Sequence, residues 1–224
     1  SMWYYQSKKD DSEVIDKLNE LAESHPTIGF DEYYGRIRQQ GYKWNRKRVL
    51  RIYRLMNLGL RRKRKKRLPS RVKQPLIVPG KLNHTWSMDF MSDSLGDGRR
   101  VRMFNVIDDH NREALAIEAG MSFPAQRVVR VLNQLEEEIG LPDIIRVDNG
   151  PEFIAHHFQN WCKSKSIKIQ YIQPGKPMQN GYIVRFNRFF REDILDAYWF
   201  EDYQQLRIIA EKWRYDYNYN HPHK

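Results

Sequence analysis

The chain has 224 residues, enough for one medium domain and one small one, each with a core of its own. Its single cysteine, Cys162, excludes an internal disulfide framework and points to a reducing compartment, while no apolar run reaches the length of a membrane span and no secretory signal is visible. The net charge of +11 is concentrated locally: residues 36–73 hold 17 Lys/Arg and no Asp/Glu, leaving 22 basic against 28 acidic residues elsewhere. A dense basic segment on an otherwise acidic chain calls for a polyanion, most directly nucleic acid; the competing reading is a solvated, disordered charge run.

Three helices are predicted first. "SEVIDKLNELAESHP" places Ser12 as a cap, with Ile15, Leu18 and Leu21 on one side. "FDEYYGRIRQQGY" gives a second helix ending near Gly41. "NRKRVLRIYRLMNLGL" gives a third, capped by Asn45 and ending near Gly59, with Val49, Ile52, Tyr53 and Met56 as its inner face. Lys47, Arg51 and Arg54 recur at i, i+4 and i+7 on another face, beside Arg46. Three short helices with a basic third suit helix-turn-helix DNA binding; a module that only packs would share the pattern.

"RRKRKKR" (Arg61, Arg62, Lys63, Arg64, Lys65, Lys66, Arg67) cannot build a core, and Pro69, Pro75 and Pro79 follow. Residues 61–83 read as a basic linker touching phosphates without reading bases. The resulting division is a helical domain over 1–60, the linker over 61–83, and a second domain over 84–224.

In the second domain "HTWSMDFM" alternates, with Trp86, Met88 and Phe90 opposite Thr85, Ser87 and Asp89. "GDG" at 96–98 is a hairpin turn, and "RVRMFNVIDD" and "EALAIEAG" are two further strands. "PAQRVVRVLNQLEEEIG" is a helix and "DIIRV" a short strand ending at Asp148. "PEFIAHHFQNWCKSKS" reads as one helix and "IKIQYIQ" as a strand. A helix from about 181 buries Ile183, Phe186, Phe190 and Ile194, and a last helix, about 201–219, carries Leu206, Ile209, Trp213 and Tyr217. Three strands in hairpin order followed by alternating helices and strands predict an α/β fold, a mixed sheet with helices on both faces.

Acids on strands are unfavourable by propensity, so Asp89 and Asp148 each need a reason, whether as ligands or as surface and capping residues. Val184 poses a second problem. It lies about 120° around the helix from the buried stripe, on the face of Arg188 and Arg191, where a β-branched apolar residue is out of place.

"WSMDF", "DNGPEF", "QPGKPMQNGYIVRFN" and "WRYDYNYNHPH" resemble the catalytic half of bacterial insertion-sequence transposases, relatives of retroviral integrases in the DDE superfamily. The segment from His25 to Leu60 resembles the helix-turn-helix that precedes that core. The resemblance implies an RNase H-like sheet flanked by helices behind a small all-α domain. It implies cleavage and strand transfer at transposon ends, two Mg²⁺ or Mn²⁺ ions, double-stranded DNA as partner at the ends and the target, and a homo-oligomer. A bacterial cytoplasmic, nucleoid-associated protein is expected. It also implies a glutamate 35 intervening residues beyond Asp148. That position is Val184, within Ile183-Val184-Arg185-Phe186-Asn187.

Asp89 and Asp148 are then the expected metal ligands, with the third acid missing and the enzyme expected to be inactive or crippled. Glu192 and Asp193 lie too far along the helix to substitute. Glu152 is expected to begin a helix, Asp108 and Asp109 to be turn residues, and His156 and His157 to be structural. Lys176, Gln179 and Asn180 in the preceding loop, with Arg188 and Arg191, are candidate DNA contacts or ordinary solvated residues. A non-enzymatic DNA-binding regulator and an RNase H-type nuclease using other ligands are the alternatives. Val184 is either a deliberate substitution or a natural lesion. Ser1-Met2 reads as a cleavage scar and the abrupt end as a trimmed chain.

Overall fold

Apolar residues at i, i+4 and i+7 start the first element. In the computed structural model, which describes residues 10–60, 78–173 and 177–221, helix α1 spans Ser12–Ser24 and buries Val14, Leu18 and Leu21. Val14 replaces the expected Ile15, which is left 38% exposed, and the cap position falls to Asp11, one residue before Ser12. Helix α2 (Phe30–Gln39) stops before Gly41, whose φ of +91° suits a residue without a side chain. Helix α3 (Arg46–Leu55) is capped as predicted, the Asn45 side chain accepting from the Lys47 amide at 2.8 Å. It ends earlier than Gly59, because Asn57 adopts the left-handed conformation (φ +54°). These helices share one core with Ile28, Tyr33, Ile37, Val49, Ile52 and Tyr53.

The second unit is built on a five-stranded sheet: β1 (Thr85–Ser94), β2 (Arg100–Asp108), β3 (Ala114–Gly120), β4 (Ile144–Val147) and β5 (Lys168–Tyr171), in spatial order β3-β2-β1-β4-β5. The first three pair antiparallel; β4 lies parallel to β1, and β5 parallel to β4. The β1–β2 turn is closed by Leu95 and Arg99 with Gly98 at φ +83°, as "GDG" predicts. By compactness the chain divides into Ser1–Pro69 with Asn220–Lys224, and Ser70–Tyr219.

Both faces of the sheet are covered. Trp86, Met88, Phe104, Val106, Ile145 and Val147 pack under α4 (Ala125–Ile139), α5 (Pro151–Ile154) and α6 (His156–Ser164). Met91, Val101, Met103, Ile107, Ile117 and Ala119 pack under α7 (Gly181–Phe190) and α8 (Tyr203–Tyr219). The predicted stripe Ile183, Phe186, Phe190 and Ile194 is buried, although the helix widens to a π-type turn over Arg191–Leu195.

One helix was expected from Pro151 to Ser166; two occur. Ala155 is extended (φ −62°, ψ 136°) and separates α5 from α6. In one continuous helix Phe153 and Phe158 would point about 140° apart. The break lets both reach the same core, where each is fully buried with ring centroids 5.6 Å apart.

Candidate active site

Two carboxylates begin the site, one on a strand and one just past a strand's end. Asp89 sits in the middle of β1 on the α7 side of the sheet, because β1 puts Trp86 and Met88 into the opposite core. Ser87 pairs with Arg146 across β1 and β4, so two residues farther on Asp148 follows β4 on the same face, beside Asp89. Burial pushes the Asp89 carboxyl up to about 6; the Phe90 amide and the Asn187 side chain pull it down, and the charge of Asp148 adds to the rise. Asp148 Oδ1 accepts from the Gly150 amide at 2.9 Å. Gly150 is a place of close approach: a Cβ there would lie 3.0 Å from Asp148 Oδ1 and 3.3 Å from Glu152 Oε2.

Helix α7 closes the site. Asn187 Nδ2 donates to Asp89 Oδ2 at 2.8 Å, and Asn187 Oδ1 accepts from Asn105 Nδ2 at 2.7 Å. Val184 precedes Asn187 by three residues, about 60° away around the helix, and is 45% exposed. It therefore lies outside the core, on the part of α7 next to the Asp89 contact. Neither Asn105 nor Asn187 was picked out from sequence. A strand asparagine directly opposite an acid was the available signal for the first, and a helix amide one turn after Val184 for the second.

Oxygen donors of two aspartates fit a hard divalent cation. Among the described residues, no group of three or more His, Cys, Asp or Glu is arranged to hold a metal ion. Glu152 is committed elsewhere: it opens α5 as expected and pairs with Arg102, whose guanidinium lies over the Phe90 ring. Glu192 pairs with Arg188 at 2.8 Å, and Asp193 accepts from the Trp213 indole at 3.1 Å.

Three family models match the chain. An HTH-like domain covers residues 8–67, and two integrase core domain models cover 80–177 and 165–224. An insertion element IS407 protein of 31.7 kDa from Burkholderia multivorans is 35% identical over 225 residues, spanning 100% of this chain and 81% of that protein. The chain belongs to the insertion-sequence transposase family. The transposase InsD of element IS2 from Escherichia coli is 25% identical over 228 residues, covering 96% of this chain and 75% of that one. Among solved structures, a simian T-cell lymphotropic virus intasome in complex with a PP2A regulatory subunit aligns with TM-score 0.50 and 16% identity, over 92% of this chain and 69% of that one. The mixed sheet with helices on both faces is thus the RNase H-like integrase fold, behind an HTH-like segment.

The transposase family's other expected site residues fall unevenly. Lys176 and Arg61–Arg67 lie outside the described residues. Gln179 Oε1 accepts from the Gln173 amide at 2.8 Å, whereas Asn180 is turned inward, 2% exposed, with Nδ2 3.4 Å from the Met88 carbonyl. Arg191, in the π-type turn after α7, bonds the Ser92 carbonyl at 2.9 Å and pairs with Asp93 at 3.3 Å, so Arg188 and Arg191 both carry acidic partners within the chain. On α3, Arg46 pairs with Asp31 at 2.6 Å, and Arg48 and Arg51 both pair with Asp11. Lys47, Leu50, Arg51, Arg54 and Leu55 line a concavity of about 430 Å³ on its outer surface.

Asp109 lies in the turn after β2, as expected, but is fully buried there: its amide donates to the Thr85 carbonyl of β1 at 3.0 Å and its carboxylate pairs with Arg146 at 2.5 Å. Asp108 does act in the turn, accepting from the His110 and Asn83 amides, both at 2.7 Å. His156 and His157 lie on a helix, exposed at the start of α6. No described helix is long and apolar enough to cross a membrane.

Proposed function

We propose that this chain is a DDE transposase whose catalytic triad is broken at position 184: it binds transposon-end DNA, and its cleavage and strand-transfer chemistry is crippled. Supporting this are Asp89 on β1 and Asp148 just past the end of the adjacent parallel β4, with Val184 exposed on α7 three residues before Asn187, which bonds Asp89. Asp89 and Asp148 would hold the divalent cation, Mg²⁺ or Mn²⁺. When bound, such ions polarise the scissile phosphate and stabilise the attacking and leaving oxygens. The protein's own share is to fix the two carboxylates, through the Gly150 amide at Asp148 and the Phe90 amide and Asn187 at Asp89. Valine brings neither an oxygen nor a charge, so the donor set stops at two acids.

In this reading residues 1–60 form the DNA-binding domain, 61–83 a basic linker, and 84–224 the catalytic core. Helix α3 offers Arg46, Lys47, Arg51 and Arg54 to the major groove, and Arg61–Arg67 offer charge to phosphates. Lys176, Gln179, Arg188 and Arg191 contact DNA beside the site; for the two arginines this requires exchange of their carboxylate partners for phosphates. Assembly as a homo-oligomer on paired ends completes the proposal.

The test is Val184→Glu, compared with the parent chain in Mg²⁺ or Mn²⁺ on DNA carrying the element's ends. Restored cleavage and strand transfer, rising by several orders of magnitude, is expected. Equal activity in the two proteins overturns the account of the defect. End-specific binding that persists with no cleavage even in Val184→Glu favours a non-enzymatic regulator instead.

A further inference from the structure

We propose that Asn105 is a positioning residue for the metal-facing carboxylate, acting through Asn187. Asn105 stands directly opposite Asp89 in the β1–β2 register, on the same face of the sheet, and is fully buried. An ionised carboxylate only accepts hydrogen bonds, so Asn187 must turn Nδ2 toward Asp89. That leaves Asn187 Oδ1 facing β2, where a donor is required, and Asn105 Nδ2 supplies it at 2.7 Å. Without this donor the Asn187 amide can rotate, aim its oxygen at the carboxylate and release it from its present orientation.

A second observation argues against a purely structural role. Among the described residues, Asn105 Oδ1 is buried with no hydrogen-bond partner. A half-satisfied amide inside a sheet destabilises the fold relative to an apolar residue of the same shape. Leucine is close to that shape, and the β2 residues flanking Asn105 on its own face, Met103 and Ile107, are apolar and buried. An asparagine kept here at a cost to stability is explained by what its donor does for Asn187.

This inference rests on the proposed reading of Asp89 as a cation ligand, and the experiment separates the two. Mn²⁺ affinity is measured by electron paramagnetic resonance for the parent chain, Asn105→Leu, Asn105→Ala and Asp89→Asn, in the native and the Val184→Glu backgrounds. Thermal unfolding and the side-chain amide NMR signals of Asn187 are recorded alongside. Asn105→Leu is expected to weaken Mn²⁺ binding by roughly tenfold or more, the range typical of outer ligand-orienting contacts. Its Tm stays level or rises, and the Asn187 amide protons lose their slow exchange with solvent. Asn105→Ala gives the same loss of affinity if the leucine variant fails to fold. Parent-like Mn²⁺ affinity in both Asn105 variants, with binding lost in Asp89→Asn, overturns the positioning role. Unchanged Asn187 signals in the variants overturn it as well. Parent-like binding in Asp89→Asn overturns the ligand reading instead, and the NMR signals still judge the Asn105–Asn187 link on their own.

Discussion

Asp89 is held where its charge is unwelcome, and that has a measurable consequence. Burial first, and the neighbouring Asp148, raise its carboxyl to about 6 against the donors that favour ionisation. Below about pH 4 the carboxyl is protonated in both folded and unfolded chains and has no net effect. Between there and about pH 6 the folded state holds the proton more tightly, so stability falls as pH rises; above that the penalty is constant. Asp89→Asn removes the ionisation. In chelator-treated buffer it should be more stable than the parent by an amount growing from near zero at pH 4 to about 1–3 kcal/mol at pH 7. Urea unfolding at several pH values reads this directly; a gap that does not change with pH contradicts it. Asp89 was legible in the sequence as an acid within a strand, and Asp148, just past a strand's end, through the "DNGPEF" resemblance. Asn105 and Asn187 were not, being 82 residues apart and joined only by the packing of α7 on β2. The burial of Asp109 in its turn was hidden for a similar reason: its partner Arg146 is 37 residues away, and no local pattern shows the pair.

At the level of elements, what alternates or repeats was readable and what packing alone imposes was not. The period-two pattern of Trp86, Met88 and Phe90 located β1, and the stripe from Ile183 to Ile194 located α7, because each pattern is cut to one core. The break at Ala155 follows from the core instead. Phe90, Phe104, Phe123, Phe153 and Phe158 form a chain of ring contacts with centroids 5.1–6.3 Å apart, and Phe153 touches three of the other four. Only a broken helix lets Phe153 join it while Gly150 stays against Asp148. Phe153→Ala should therefore cost about 3–5 kcal/mol, as loss of a fully buried aromatic with little room to collapse. Urea unfolding of the second unit measures it. A loss below about 1 kcal/mol would show that α5 is not fixed by this cluster.

Across the whole molecule, charge rather than shape divides the labour. The face of the sheet that carries Asp89 displays acids and arginines already paired with acids, whereas the basic residues cluster at 36–73. Part of that cluster is internally compensated: Asp11 and Asp31 hold Arg46, Arg48 and Arg51. Residues 61–67 carry seven positive charges in a row with no acid among them, so they are the strongest candidates to displace counterions from DNA. Each phosphate neutralised contributes about 0.9 to the slope of log affinity against log salt. Replacing all seven with glutamine should flatten that slope by as much as about 6, while leaving the preference for one duplex sequence over another nearly intact, because phosphate contacts carry no base information. Lys47→Ala with Arg54→Ala, on the outer surface of α3, should do the reverse: a slope change of about 2 at most, and a loss of sequence preference. Titrations at three or more salt concentrations, on a duplex selected by the protein and on a scrambled one, separate the two effects. If the seven-residue variant keeps its slope, the segment does not neutralise phosphates. If instead it loses sequence preference, base reading extends beyond α3 and the division between a reading helix and a charged linker fails.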